Sequence, residues 1–162
     1  MKKLQLSVAV IILTITVRAQ QFNGEWKLNE SKSSFGNADK SIAAATTIKL
    51  QQTNDSITLT RTFAAYNATT EGYAMNGNIY TLDLPTGSKQ SKKFSSCKWQ
   101  EPQKSFVVSA AYRMNDDSQL SEWASARTET YSISSDGRTL TVERITINPD
   151  RTERTTAVYD KL

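Results

Sequence analysis

The sequence predicts an all-β protein, a single antiparallel up-and-down β-barrel of 8–10 strands that follows an N-terminal signal peptide. From Thr46 onward, apolar and polar residues alternate with a period of two, which is typical of half-buried strands. Short polar turns separate these runs, and no segment has a helical pattern long enough for a crossover between parallel strands. A meander of this length usually closes on itself because closure removes exposed strand edges. A β-sandwich is the structural alternative.

The first 19 residues have the three parts of a secretory signal. Lys2 and Lys3 precede an apolar run from Leu4 to Val17, and Val17-Arg18-Ala19 provides a small-residue cleavage site. We expect cleavage after Ala19 and a secreted or periplasmic protein. The apolar run is shorter than the roughly 20 residues that a membrane helix needs, and no second one follows. No membrane span is therefore expected in the mature chain.

Residues 20–162 are long enough for one domain with its own core. Loss of Lys2, Lys3 and Arg18 with the leader lowers the formal net charge from +4 to +1, so we expect no nucleic-acid partner. We also expect a monomer. The single cysteine, Cys97, excludes an intramolecular disulfide, and its place in a strand-like run predicts a small buried hydrophobe.

The first strand is expected around Trp26, and the polar segment Asn29 to Ala44 then crosses one end of the molecule, with one or two helical turns between Asp39 and Ala45. Two alternating runs joined by the Asn54-Asp55 turn predict a hairpin. A second hairpin is predicted at Asn76-Gly77, because this dipeptide between alternating runs is a strong hairpin signal.

Four turns punctuate the second half of the chain and predict strands between them. The predicted strands are Phe94 to Trp99, Phe106 to Tyr112, Leu120 to Ile133, Leu140 to Ile147 and Thr152 to Tyr159. In the Leu140 strand the apolar phase changes from Leu140 and Val142 to Ile145 and Ile147. This change predicts a β-bulge near Glu143-Arg144.

Two segments carry a resemblance to a known group of barrels. Phe22-Asn23-Gly24-Glu25-Trp26-Lys27-Leu28 is similar to the opening strand, and Val158-Tyr159-Asp160-Lys161 to the closing strand, of the lipocalin and fatty-acid-binding (calycin) superfamily. The chain resembles a bacterial-type secreted member of no identified subfamily. The resemblance implies that Gly24 and Trp26 are a structural signature and that the tryptophan closes the bottom of the barrel. We expect a cation–π contact between Trp26 and an arginine such as Arg154.

The resemblance also implies an Arg-x-Tyr pair in the closing strand that anchors a fatty-acid carboxylate. Here Ala157 takes the arginine's place two residues before Tyr159, so this clamp is incomplete. Tyr159 remains available as a hydrogen-bond donor.

Three charged residues share the predicted inner face of the barrel. Arg61 is in phase with Leu59 and Phe63, and Arg127 and Glu129 lie between Trp123 and Tyr131 on one face. An inward charge is costly unless it is paired or faces a filled cavity. The alternative is that Arg127 and Glu129 form an exposed pair on a strand that twists out of the core. The full set of predicted ligand-binding residues, each with an ordinary core or rim position as its alternative, is Arg61, Tyr80, Tyr112, Trp123, Arg127, Glu129, Tyr131 and Tyr159.

The absence of histidine rules out a histidine-based triad, a histidine-ligated zinc and a proximal-histidine haem. No glycine-rich phosphate loop is present either. We therefore expect no enzyme activity, no metal and no cofactor. The resemblance to lipocalins implies a barrel that binds a small apolar or amphipathic molecule in its interior. The alternative is a ligand-free interaction or inhibitor module that uses the loops Ser31 to Ala44, Ala64 to Thr70 and Met114 to Ser118. A third hypothesis is a cavity enzyme that acts through Glu129 or Tyr131.

Overall fold

The computed structural model of the protein describes residues 22–86, 89–102, 104–114 and 123–162, so the predicted signal peptide lies outside the described part. Within these ranges one sheet of ten antiparallel strands forms, which confirms the predicted fold class. Its strands are β1 (Gly24–Leu28), β2 (Thr47–Gln52), β3 (Ser56–Thr62), β4 (Thr69–Ala74), β5 (Tyr80–Thr86), β6 (Lys89–Glu101), β7 (Ser105–Met114), β8 (Trp123–Ile133), β9 (Thr139–Ile147) and β10 (Thr152–Lys161).

The strand order in the sheet is β4-β3-β2-β1-β10-β9-β8-β7-β6-β5, so β1 pairs with both β2 and β10. Because consecutive strands run in opposite directions, the connections alternate between two ends of the curled sheet. The described connections after β1, β3 and β9 lie at one end, called the mouth below. The predicted hairpin at Asn54-Asp55 is confirmed, with Gln52 paired to Ile57 across the turn.

The hairpin predicted at Asn76-Gly77 is wrong. β4 and β5 are the two end strands of the sheet, and the segment between them crosses the seam instead of reversing within it. Asn76 forms a bridge with Lys98 of β6, and the Gly77 N–H donates to the Cys97 carbonyl at 2.8 Å. The left-handed Gly77, at φ 77°, therefore serves closure of the barrel and not a two-residue turn.

The long connection between β1 and β2 contains one short 3₁₀ turn, Glu30–Lys32, and one short helix, α1 (Lys40–Ala43), as the polar sequence predicts. The Asp39 carboxylate caps α1 by accepting from the Ser41 N–H at 2.9 Å. Among the described residues, no helix is both long and apolar enough to cross a membrane.

The end opposite the mouth is filled by aromatic side chains around Trp26, which is fully buried. Phe22 packs edge-on against Phe106 at 4.9 Å, and Phe106 stacks on Tyr131 at 4.6 Å between ring centroids. The cation over Trp26 is Lys161, whose Nζ lies 5.1 Å from the ring centroid. The expectation that Arg154 provides it is wrong, because Lys161 is the residue paired with Trp26 across β1 and β10.

Gly24 opens β1 with φ at 140°, a conformation that residues with a side chain rarely adopt, and a Cβ there would lie 3.0 Å from Cε of Lys161. We expect Gly24→Ala to lower the free energy of unfolding by about 1–3 kcal/mol through backbone strain. Urea unfolding followed by tryptophan fluorescence measures this effect. Gly72→Ala is the matched control, because no atom lies within 4 Å of its Cβ position and its φ is not positive. Equal stability of the two variants would contradict the prediction.

The bulge predicted near Glu143-Arg144 is also wrong. β9 pairs without interruption with β10 from Thr139 to Ile147 and with β8 from Leu140 to Ile147. The apolar phase changes because Arg144 continues the inward face of Leu140 and Val142, whereas Ile147 is 53% exposed. An inward arginine therefore produced the pattern that resembled a bulge.

Cys97 is 1% exposed, and its Sγ lies 3.2 Å from Sδ of Met75 on the other side of the seam. Burial raises the pKa of the Cys97 thiol to about 12. The prediction of a small buried hydrophobe is confirmed, and a thiol that stays protonated at neutral pH is a poor nucleophile.

Candidate functional site

A layer of charged residues crosses the barrel between the aromatic end and the mouth. At its centre the Glu129 carboxylate, which is fully buried, accepts from Arg61 Nη2 at 2.7 Å and from the Tyr131 hydroxyl at 3.0 Å, both at Oε2. Arg61 Nη2 also donates to the Tyr131 hydroxyl at 2.8 Å. Three residues predicted separately from sequence are thus in direct contact, although Arg61 comes from β3 and the other two from β8.

Two further arginines approach the other oxygen of the same carboxylate. Arg144, which is paired with Glu129 in the register of β8 and β9, donates to Oε1 from Nε at 2.8 Å. Arg127 Nε lies 3.7 Å from Oε1, and the Arg127 side chain is 24% exposed. Glu129 therefore has three guanidinium neighbours, and the interpretation of Arg127 and Glu129 as an exposed surface pair is wrong for Glu129.

Glu71 and Lys93 extend the layer to the seam of the barrel. Glu71 on β4 accepts from Arg61 Nη1 at 2.6 Å, and its other oxygen pairs with Lys93 on β6. This pair spans the place where β4 meets β6 and helps to close the sheet. We call the full set the ionic cluster, and its members are Arg61, Glu71, Lys93, Arg127, Glu129, Tyr131 and Arg144.

Both acids of the ionic cluster are ionised at neutral pH. Burial by itself disfavours the Glu129 carboxylate, but the charges of its three arginines outweigh burial and hold the pKa of Glu129 well below its usual value. Burial also opposes ionisation of Glu71, yet the hydrogen bond from Lys93 and the charge of Arg61 lower the pKa of Glu71 to about 2. Burial raises the pKa of Tyr131, so its hydroxyl remains protonated and donates to Glu129.

Above the ionic cluster, a cleft of about 560 Å³ opens at the mouth. We call it the mouth cleft. One wall is formed by α1 and the connection after β3, where Phe63 and Tyr66 stack at 4.3 Å between ring centroids. The opposite wall comes from β7, β8, β9 and β10. Ile42, Phe63 and Tyr66 line the first wall, and Tyr112, Arg127 and Arg144 line the second.

Below the mouth cleft, the interior near the ionic cluster is tightly packed. The space lined by Arg61, Tyr131, Arg144 and Tyr159 has a volume of about 10 Å³, which is no larger than one water molecule needs. Of these two spaces, the mouth cleft is the one with room for an organic ligand.

The structure places the other predicted site residues in different surroundings. Tyr112 lines the mouth cleft, and Tyr159 is buried beside Ala157 near the ionic cluster. Tyr80 is 48% exposed on β5, where its hydroxyl accepts from the Asn76 side chain, so it does not join the mouth cleft. The side chain of Trp123 lies outside the described residues.

Sequence reasoning missed Arg144, Glu71 and Lys93 as members of the ionic cluster. The signal was present, because Arg144 is in phase with Leu140 and Val142, and Glu71 is in phase with Tyr73. Strand phase alone could not show that Lys93 and Glu71 meet, since β4 and β6 come together only when the sheet curls.

The ionic cluster places guanidinium groups and a phenol around a carboxylate. The resemblance to fatty-acid-binding proteins implies such groups around the carboxylate of a ligand. In this chain they surround Glu129, a carboxylate of the protein itself. Across the described ranges, no group of three or more acidic or thiol side chains is placed to hold a metal ion.

The fold and this site define an antiparallel β-barrel with a charged interior layer. A search of solved structures matches zebrafish ileal bile acid-binding protein complexed with cholic acid, at a TM-score of 0.54 over 88% of this chain and 99% of that chain. The two sequences are 14% identical, so the match shows the fold alone. It is consistent with the β-barrel fold that the sequence predicts. No protein-family model matches the chain, and no curated protein matches it either.

Proposed function

We propose that the chain is an exported lipocalin-like protein that binds a small amphipathic molecule with an acidic group in the mouth cleft. The apolar part of the ligand packs against the wall formed by α1 and the connection after β3. The acidic group pairs with Arg127, the most exposed arginine of the ionic cluster. Export rests on the leader at residues 1–19.

The observation that carries this proposal is a surplus of positive charge beneath the mouth cleft. The ionic cluster contains four cations, Arg61, Lys93, Arg127 and Arg144, and two carboxylates, Glu71 and Glu129. Two positive charges are therefore uncompensated within it. Partly buried charge without a partner is unfavourable, and an anion in the cleft relieves it.

The two described acids that line the mouth cleft, Asp39 and Glu153, do not remove this surplus. Asp39 accepts from the Ser41 N–H as the cap of α1, and Glu153 pairs with Arg151 at 3.1 Å. Both are engaged away from Arg127. Among the residues that the structure describes, the rim therefore leaves Arg127 available to an incoming anion.

The apolar wall provides the second half of an amphipathic site. Ile42 is 56% exposed and Tyr66 is 45% exposed, although both line the cleft. Covering such surface is worth roughly 25 cal/mol per Å² before the costs of binding. The structural neighbour was crystallised with cholic acid, which combines an apolar body with a carboxylate.

Cholate and its methyl ester test the proposal, because they differ in the charge that Arg127 is expected to recognise. We expect Arg127→Met to weaken cholate binding by about ten- to a hundredfold, which corresponds to the loss of one charge-assisted hydrogen bond. Binding of the ester should change little. Isothermal titration calorimetry on the mature chain measures both affinities.

Arg154→Met is the matched control, because Arg154 is an exposed arginine on β10 outside the mouth cleft. The three proteins should unfold at similar urea concentrations, since Glu129 keeps Arg61 and Arg144 when Arg127 is removed. Equal loss of cholate and ester binding in Arg127→Met, or no binding of either compound by the wild type, would overturn the proposal.

The second candidate function is a protein-binding module, and the position of two loops at the mouth favours it. The connections after β1 and β3, two of the loops in that hypothesis, meet at the mouth and expose Ile42 and Tyr66. Replacing 64–68 by a Gly/Ser segment should abolish capture of a protein partner and leave cholate selectivity dependent on Arg127. Unchanged capture would rule this candidate out.

A further inference from the structure

β5 is an end strand of the sheet, and one of its two edges has no neighbouring strand among the described residues. It pairs with β6 and, among the described residues, with no other strand. The opposite end strand, β4, closes against β6 instead, through the Asn76–Lys98 bridge and the Glu71–Lys93 pair. Within the described ranges, the outer edge of β5 is consequently open.

Apolar side chains are concentrated at this open edge. Tyr80 and Leu82 of β5 are 48% and 57% exposed, and Ile79, just before the strand, is 73% exposed. Thr81 and Asp83, on the other face of the strand, are exposed as well. An open, apolar strand edge is a template for pairing with another strand.

The hydrogen-bonding phase of the edge follows from Pro85, which is paired with Gln90 of β6. A proline nitrogen carries no hydrogen, so in an end strand it points away from the neighbouring strand. Ladder groups alternate along a strand, so the N–H and C=O groups of Thr81 and Asp83 also point to the open edge. These are the groups that a pairing strand would engage.

The segment Tyr80-Thr81-Leu82-Asp83-Leu84 is symmetric in polarity about Leu82. In antiparallel pairing of two copies centred on this residue, Thr81 faces Asp83 of the partner subunit, and Tyr80 faces Leu84 of the partner subunit. The outward N–H and C=O groups of Thr81 and Asp83 meet in hydrogen-bonded pairs, and Leu82 meets its symmetry mate in a non-hydrogen-bonded pair. No like charges face each other, because Asp83 is opposite a threonine.

We propose that β5 is a homodimer interface, in which a second copy adds its own β5 antiparallel with Leu82 opposite Leu82 of the partner subunit. This replaces the monomer expected from the sequence, and it does not depend on the proposed ligand. The twofold arrangement is closed, and Pro85 ends the ladder because it offers no N–H. Five residues per copy bury little area, so the dimer is expected to be weak and concentration-dependent.

Cysteine cross-linking tests the register. Leu82→Cys places two thiols in a non-hydrogen-bonded pair, where the Cα separation of about 4.5 Å suits a disulfide. We expect mild oxidation to convert this variant to a covalent dimer, as seen by intact-mass spectrometry. Asp83→Cys is the matched control, because it faces Thr81 of the partner subunit and should remain monomeric. Cys97 is 1% exposed and stays unreactive in both.

Sedimentation of the unmodified chain over a wide concentration range provides the second measurement. We expect a reversible rise toward the dimer mass that Leu82→Lys abolishes, because two ammonium groups would then meet on the axis. Circular dichroism checks that the variant remains folded. A wild-type monomer at every concentration, a dimer that persists in Leu82→Lys, or equal cross-linking of Leu82→Cys and Asp83→Cys would overturn the proposal.

Discussion

Glu129→Ala is expected to lower the free energy of unfolding by about 3–5 kcal/mol, the usual cost of removing one partner from a buried ion pair. The reason is that Arg61 and Arg144 both point their guanidinium groups at this carboxylate, at 2.7 and 2.8 Å, and Arg61 is only 4% exposed. Without Glu129, the buried Arg61 guanidinium keeps Glu71 as its one acidic partner among the described residues. Urea unfolding followed by tryptophan fluorescence measures the loss.

The same variant should be rescued by small carboxylates, since truncation to alanine leaves space between fixed guanidinium groups. We expect 0.1 M sodium formate to raise the unfolding midpoint of Glu129→Ala relative to sodium chloride at equal ionic strength, with little effect on the wild type. Glu143→Ala, an exposed neighbour on β9, is the control and should lose little stability. A loss below about 1 kcal/mol in Glu129→Ala would contradict the role of this carboxylate.

Acid is expected to destabilise the fold through the same layer. The pKa of Glu71 is lowered from 4.5 to about 2 in the folded chain, so the unfolded chain binds more protons between these values. Stability is therefore fully present above about pH 5 and is lost as pH falls toward 2. For Glu71 alone the linked free energy is on the order of 3 kcal/mol, and Glu129, with its lowered pKa, adds in the same direction.

Unfolding free energies measured from pH 7 to pH 2.5 show whether protonation of Glu71 causes the loss of stability in acid. We expect Glu71→Gln to be less stable than the wild type at pH 7 and to lose less stability on acidification, because its side chain cannot take up a proton. Asp55→Asn, in the exposed β2–β3 turn, should leave the acid dependence of the wild type unchanged. If Glu71→Gln kept the full acid dependence, the depressed pKa would not be the cause.

The position of the ligand site depends on the internal carboxylate. The resemblance to fatty-acid-binding proteins implies that arginine and tyrosine side chains of the barrel anchor the carboxylate of the ligand. In this chain Glu129 occupies such groups, and Arg127 is left as the arginine most accessible to the mouth cleft. The proposed ligand therefore binds higher in the barrel, with its acid at the rim of the ionic cluster.

Strand periodicity was sufficient to predict much of the fold. The ten antiparallel strands, the hairpin at Asn54-Asp55 and the burial of Cys97 follow from local alternation and turn chemistry, which act over a few residues. The same reasoning failed at Asn76-Gly77 and at Arg144. A hairpin signal cannot show that the chain is crossing a seam, and an apolar pattern cannot distinguish a bulge from an inward charge.

Local sequence by itself determined the strands and the phase of Arg61, Arg127, Glu129 and Tyr131 along them, and it excluded histidine chemistry. It left open whether Arg127 and Glu129 face inward or form an exposed pair. The tertiary structure alone decided that Arg61 reaches Glu129 across the barrel, that Glu71 meets Lys93 at the seam, and that β5 keeps an open edge. The physical reason is that strand phase fixes only the face on which a side chain lies. The distance between side chains on different strands is set by how the whole sheet curls and closes.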